Sequence, residues 1–372
     1  MRERNQILKL WDELAATDES AVLATVVLTE GSSYRLPGAR LLLAPDGRHA
    51  GGVSGGCLEE DILKKAWWLT TSGPVLRRYD TTADGEISTE GYGLGCNGII
   101  HVLLERVSGY EPSVLPLLRE VSRRRLPATV AHVLSSPATG RRLIVDPNGT
   151  VRHNVADPAL LQLLLAEVGH ADDSKTLTTD SGERIFLERL TPPVKLLVFG
   201  AGDDAVPLTQ LARCLGWQVE VFDGRAHYAR RDKFPDADQV TVRAVGSPAP
   251  PIDQWTVAVV MTHSYTQDLD VLGSLVGEPL SYLGVLGPRK RTVQLLADLA
   301  ASGITAPSSL HTPMGLDLGG DGPEQVALAA VAEIQAVLHR RSSGPLRDRD
   351  APIHSEGAHS AAEAWARSIV CA

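Results

Sequence analysis

The sequence predicts an α/β protein, with a mixed α/β N-terminal domain followed by a C-terminal domain built on a parallel sheet. Three observations carry that reading. Residues 194–199, apolar except for Lys195, read as a buried strand that enters Gly200-Ala201-Gly202-Asp203-Asp204-Ala205, then a helical stretch to Leu215 and a second β-type run at 219–222. That second run ends at Asp223, about twenty residues past Gly202, where the dinucleotide fingerprint G-x-G-x-x-G/A places its ribose-binding acid. Thr191-Pro192-Pro193 punctuates the chain just before this unit and reads as a linker. The expected organisation is therefore a domain over residues 1–190, a Rossmann-like domain over 194–340, and a disordered tail over 341–372.

Composition narrows the partners. With 43% hydrophobic and 22% charged residues the chain is globular, and its 372 residues are enough for two cores. A net charge of −9 without any basic block argues against nucleic acid and anionic membrane as partners. No apolar run approaches the roughly 20 residues of a membrane span. The first residues open an amphipathic helix rather than a signal core, so a cytoplasmic protein is expected. Cysteines at 57, 96, 214 and 371 form neither a disulfide framework nor a CxxC zinc pattern.

In chain order, residues 4–17 carry apolar residues at helical spacing (Ile7, Leu10, Trp11, Leu14), and 21–29 is a β-branched run that reads as a buried strand. The loop at 30–39 contains one cation, Arg35, which is either a solvated loop arginine or an oxyanion clamp facing the turn at Gly55 and Gly56. A strand at 40–44, a Pro-Asp-Gly turn and a short strand lead to Gly51-Gly52-Val53-Ser54-Gly55-Gly56-Cys57-Leu58-Glu59. This stretch predicts a strand that ends in glycines and turns into a helix over about 58–70. Its first N–H groups are expected to point outward to an anion, with Cys57 in the field of the helix start. Cys57 is then a metal ligand, a nucleophile, a redox sensor or a packed core thiol. A strand at 75–79 and a polar loop precede Gly91-Tyr92-Gly93-Leu94-Gly95-Cys96-Asn97-Gly98, where four glycines surround the second cysteine before an apolar strand at 99–105. Residues 113–190 read as scaffold: helices at 113–124 and 158–168, with strands at 128–135, 142–145 and 184–190.

In the C-terminal domain, Gly200 and Gly202 would bring backbone against a pyrophosphate and Asp223 would meet a ribose hydroxyl. Asp203 and Asp204 are helix-start acids that either relieve the dipole or repel such an anion. The strand at 256–261 ends at Thr262-His263-Ser264, at the strand end where open α/β sheets place ligands; His263 is a base, a ligand or a capped loop residue. Asp268 and Asp270 open the next helix. Pro288-Arg289-Lys290-Arg291 sets three cations at a helix start, unfavourable for the dipole unless they face an acidic ligand or partner.

Taken together, these motifs resemble the XdhC/CoxI family, accessory factors for xanthine dehydrogenase and carbon monoxide dehydrogenase. The resemblance is carried by Gly31-Ser32-Ser33-Tyr34-Arg35, Gly52-Val53-Ser54-Gly55-Gly56-Cys57-Leu58-Glu59 and Leu94-Gly95-Cys96-Asn97-Gly98. It is extended by the loop at 199–205, Met261-Thr262-His263, the run at 282–291, and Gly315-Leu316-Asp317-Leu318-Gly319. It implies a homodimeric insertion chaperone that binds molybdenum cofactor (molybdopterin), guards it during sulfuration by a cysteine desulfurase, and hands it to a molybdenum hydroxylase apoenzyme. It also implies cofactor contacts at Arg35, Ser54, Gly55, Gly56, Cys57, Gly95, Cys96 and Asn97. Cys57 and Cys96 would be nearest the metal; Gly200, Gly202, Asp223 and His263 would serve the second domain, where a dinucleotide is a further candidate. Two departures stand out: Cys96-Asn97-Gly98 replaces the family's Cys-Gly-Gly, and Ala205 replaces the third fingerprint glycine.

The chemistry is consistent with that role. A soft metal suits thiolate, a phosphate suits backbone N–H groups and an arginine, and a carrier needs no catalytic pair. Two other readings stay open: an NAD(P)-dependent oxidoreductase with His263 as acid/base, and a thiol redox protein switching through Cys57 and Cys96.

Overall fold

The computed structural model describes residues 2–81, 98–108, 113–169, 171 and 173–348. The chain divides into two units, one spanning Glu3–Pro192 and another beginning at Pro193.

The first unit opens with α1 (Arg2–Ala16), whose Ile7, Leu10, Trp11 and Leu14 share one buried face. Strands β1 (Ala21–Gly31), β2 (Arg40–Leu43) and β3 (His49–Gly51) lead into α2 (Glu59–Leu69), and then β4 (Val75–Asp80) and β5 (Gly98–Val107) follow. They form an antiparallel sheet in the order β3-β2-β1-β5-β4. After α3 (Val114–Arg124), a second antiparallel sheet is made by β6 (Ala128–Val133), β7 (Arg142–Val145), β8 (Val151–His153), β9 (Lys175–Thr178) and β10 (Arg184–Leu190). Its order is β8-β7-β6-β10-β9, with α4 (Pro158–Gly169) between β8 and β9.

The unbroken apolar run of β1 has a period-two explanation. Val22, Ala24 and Val26 face Ile62 and Ala66 of α2, while Ala21 and Leu23 face α1, α3 and strands of the second sheet. A central strand covered on both faces needs no polar side, and so its sequence does not alternate.

Between the two sheets lies a layer of buried charge. Arg40 pairs with Glu188, which also accepts from His132, and Arg142 pairs with Glu105. All five side chains are at most 7% exposed.

The second unit contains β11 (Lys195–Phe199), α5 (Ala205–Cys214), β12 (Gln218–Asp223), β13 (Gln239–Val242), β14 (Thr256–Val260), α6 (Tyr265–Leu275), β15 (Tyr282–Val285), α7 (Arg289–Ala301), β16 (Leu310–His311) and α8 (Pro323–Leu338). All its strand pairs are parallel, in the order β13-β12-β11-β14-β15-β16, as the fingerprint predicts. Leu196 and Val198 pack under α5 and α8, and Leu197 and Phe199 under α6 and α7, so both faces are covered. Strand order reverses between β11 and β14, which puts the crevice at the carboxyl ends of these two strands.

Candidate functional site

In the first unit the glycine turn at Cys57 is built by strand geometry. Gly51 has φ +87°, and a Cβ there would lie 2.2 Å from the Arg40 carbonyl of the paired strand, so only glycine ends β3 this way. The chain then folds back over the first residue of α2. Glu59 Oε1 accepts from the N–H groups of Val53 (2.9 Å) and Ser54 (2.8 Å). Its Oε2 accepts from Gly56 N–H (3.1 Å) and from the Ser54 hydroxyl, and Ser54 Oγ in turn accepts from Leu58 N–H (3.0 Å).

This corrects the expectation of outward-pointing donors. The anion at the helix start is the chain's own carboxylate. Burial pushes the Glu59 pKa up, but the hydrogen bonds from Ser54 and Val53 outweigh it and hold it below the ordinary value. Glu59 and Ser54 leave the N–H groups of Gly55 and Cys57 untaken. Cys57 is a free, half-buried cysteine, and the space a Cβ would occupy on Gly56 (φ +119°) is open.

Arg35, the candidate clamp on this turn, is engaged by α1. Its guanidinium makes a two-point pair with Glu3 of α1, at 2.8 and 2.5 Å. That hydrogen-bonded pairing lowers the Glu3 pKa and raises that of Arg35. Its neighbour Tyr34 is 68% exposed and lies beside Gly55, with Cδ1 3.7 Å from where a Cβ would sit. Gly95, Cys96 and Asn97 lie outside the described residues. Gly98, where β5 begins, is held by Thr81, whose N–H and hydroxyl both donate to the Gly98 carbonyl (2.8 and 2.7 Å). A Cβ on Gly98 would lie 2.1 Å from the Ser32 carbonyl, so this glycine presses on the loop that carries Tyr34.

In the second unit, Gly200 has φ +121°, and a Cβ there would meet the Met261 carbonyl at 2.2 Å. Glycine is needed here by the adjoining strand end, whether or not a ligand binds. Asp223 is fully buried. Its carboxylate accepts from Ala201 N–H (2.8 Å), Arg225 N–H (2.8 Å) and the Arg225 guanidinium (2.9 and 2.8 Å). Burial pushes its pKa up, but these hydrogen bonds prevail and lower it. Beside Gly202, Asp204 Oδ2 is 2.8 Å from His263 Nε2, and His263 adopts φ +57°. Lys233 bridges the Ala201 carbonyl (2.7 Å) and Asp203 (2.8 Å).

Comparisons with known proteins agree with these two elements. Residues 14–80, which include the Cys57 turn, match the XdhC and CoxI family, and residues 196–334 match the XdhC Rossmann domain. A Bacillus subtilis (strain 168) protein named as a probable xanthine dehydrogenase subunit is 35% identical over 335 residues, covering 87% of this chain and 94% of that relative. The chain belongs to the XdhC and CoxI family.

Further relatives of this XdhC/CoxI chain bear on its fold and role. The crystal structure of a xanthine dehydrogenase from Bacillus halodurans superposes with a TM-score of 0.76 at 28% identity, covering 91% of this chain and 98% of that one. The molybdenum cofactor insertion chaperone PaoD of Escherichia coli (strain K12) is 24% identical over 356 residues, 92% of each chain.

Reading motifs alone missed Glu59 as the internal anion, Arg225 as the partner of Asp223, and the pairing of Asp204 with His263. An acid in the first turn of a helix after glycines was a usable signal for the first; the other two depend on tertiary contact. Among the described residues of the XdhC/CoxI chain, no three His, Cys, Asp or Glu side chains group to hold a metal ion, and no helix is long and apolar enough to cross a membrane.

The cations at the start of α7 divide into two kinds. Arg289 and Lys290 are exposed, whereas Arg291 pairs at 2.5 Å with Asp268, which is 1% exposed and also accepts from Thr262. Arg291→Ala is therefore expected to destabilise the protein by roughly 2–4 kcal/mol by leaving a buried carboxylate unpaired. Arg289→Ala with Lys290→Ala should change stability by less than about 0.5 kcal/mol. Urea unfolding of the two variants checks this, and equal losses would contradict it.

Proposed function

We propose that this XdhC/CoxI chain binds the molybdenum cofactor at the Cys57 turn, shields it while sulfur is added, and delivers it to a xanthine dehydrogenase-type apoenzyme. The observation that carries this reading is the organisation of the turn itself. Four donors converge on Glu59, and the result is a half-buried thiol on a glycine loop beside the exposed ring of Tyr34.

The residues present fit such a group. Gly55 and Gly56 let a flat ring approach backbone, the N–H groups of Gly55 and Cys57 are not taken by Glu59 or Ser54, and Tyr34 offers a face for stacking. When bound, the cofactor supplies a soft metal for which a thiolate is a matching ligand. Because Glu59 fills the anion position and Glu3 holds Arg35, the turn is suited to the metal end of the cofactor rather than its phosphate. Cys96 is proposed as the second thiol, with Gly95 and Asn97 beside it. The first domain, residues 1–190, is then the cofactor-binding one. A cytoplasmic homodimer that meets a cysteine desulfurase and the apoenzyme in turn completes the proposal, and no step of it requires catalysis by the chain itself. The names of the relatives support it.

Cys57→Ser and Cys96→Ser are the test. Each variant, purified anaerobically with cofactor supplied, is expected to retain several-fold less molybdenum and pterin per chain than the parent. The circular dichroism spectrum should be unchanged. Full stoichiometry in both variants would make the thiols structural and refute the proposal.

A further inference from the structure

The second unit keeps the frame of a dinucleotide-binding domain, but its own carboxylates stand where the ligand would. In such loops the second glycine leaves room for a pyrophosphate to lie against backbone at the helix start. Here that room is filled. A Cβ placed on Gly202 would be 2.4 Å from Asp204 Oδ1 and 3.5 Å from His263 Nε2. Asp204 does not lie there loosely, because its other oxygen is held 2.8 Å from His263 Nε2. His263 takes a left-handed backbone conformation (φ +57°), sparsely populated for a non-glycine residue, at the end of β14. The Asp204 Oδ1 atom is buried and makes no hydrogen bond.

We propose that Asp204, latched by His263, excludes a diphosphate from the glycine loop, so that this unit serves the protein without a dinucleotide bound in it. A diphosphate would have to approach within a few ångströms of the Asp204 carboxylate and of Asp203, which is 97% exposed. Like charges that close weaken binding by about tenfold or more even at the effective dielectric of a protein surface. The cations nearby do not offset this. Lys233 is held by Asp203 and the Ala201 carbonyl, and Arg225 is held by Asp223, the Thr262 carbonyl and the ring of Tyr228 at 4.1 Å.

The acid at the ribose end is engaged from within as well. Asp223 has no exposed side-chain surface, and both its oxygens are occupied from within, so a ribose hydroxyl would have to displace Ala201 N–H or Arg225. The acid that sequence spacing assigns to the ligand instead ties the glycine loop to the end of β12. This inference is independent of the reading of the Cys57 turn.

The test is titration of the full-length protein with ADP-ribose and with NADH, followed by calorimetry and nicotinamide fluorescence. The parent is expected to show no saturable binding below about 1 mM, the weak end of specific recognition. Asp204→Gly, which opens the loop, should bind ADP-ribose at least about tenfold tighter than the parent. Asp204→Asn, which keeps the shape and removes the charge, should gain less and serves if the glycine variant does not fold. Micromolar binding by the parent would overturn the proposal. So would a folded Asp204→Gly or Asp204→Asn variant with no gain, since Asp204 would then not be the excluding residue.

Discussion

Arg142→Met is expected to destabilise the first unit by about 3–5 kcal/mol, whereas Arg142→Met combined with Glu105→Leu should recover most of that loss. The two residues meet between the sheets, Arg142 from β7 and Glu105 from β5, with side chains only 6% and 2% exposed. Arg142 Nη2 donates to Glu105 and to the Gly140 carbonyl (3.3 Å). Arg142 Nε, Arg142 Nη1 and Glu105 Oε1 are buried and make no hydrogen bond, so the pair is incompletely satisfied. Its attraction therefore does little more than offset the cost of taking two charges out of water. Removing one partner leaves a bare buried charge; removing both leaves an apolar gap that Met and Leu can fill. The measurement is a double-mutant cycle by urea unfolding, followed by the fluorescence of Trp11, which packs in the adjoining core. A single-mutant loss below about 1 kcal/mol, or a double mutant no more stable than the single, would show that the charges are hydrated.

The second large effect is acid lability of the same layer. Burial alone would raise the Glu188 pKa, but Arg40 and the hydrogen bond from His132 outweigh it and hold it at about 2, against 4.5 in an open chain. The His132 pKa is also lowered, by burial first, against the opposing pull of Glu188. The sign is the same for both groups. Each binds its proton more readily in the unfolded chain, so each contributes stability that is complete above its unfolded pKa and is lost as pH falls. His132 begins to erode stability as pH drops below its open-chain value of 6.5. Glu188 adds a loss of order 3 kcal/mol between pH 4.5 and about 2. Glu188→Gln should lower the melting temperature at pH 7 and flatten its fall between pH 5 and 3. A variant with an unchanged slope there would place the acid sensitivity elsewhere. Since the first unit is the one proposed to hold the cofactor, mild acid should also release it before the second unit unfolds.

The parallel sheet of the second unit was legible because every signal for it is local. Apolar runs at 196–199 and 257–260 give β11 and β14, glycines mark the turn after β11, and helical periodicity follows at once. The Cys57 turn was legible for the same reason, since glycines between a strand and a helix leave few conformations. What escaped were short strands with too few apolar residues to show a pattern, such as Val151–His153, which is exposed throughout, and Lys175–Thr178, whose one apolar residue, Leu177, packs on the core of the second sheet. Their pairing comes mainly from the neighbouring strand.

The larger divide runs through the site. That Glu59, Asp204, Asp223 and Arg35 are polar residues near glycine loops is plain from the chain. Which group each one meets is not. Arg35 finds Glu3 across 32 residues, Asp204 finds His263 across 59, and Asp223 turns from the expected ribose to Ala201 and Arg225. Periodicity encodes which face of an element is buried, because burial follows from side-chain hydrophobicity at regular spacing. Hydrogen-bond partners are chosen by distance and direction at the scale of an ångström, and those are decided only when separate elements pack together.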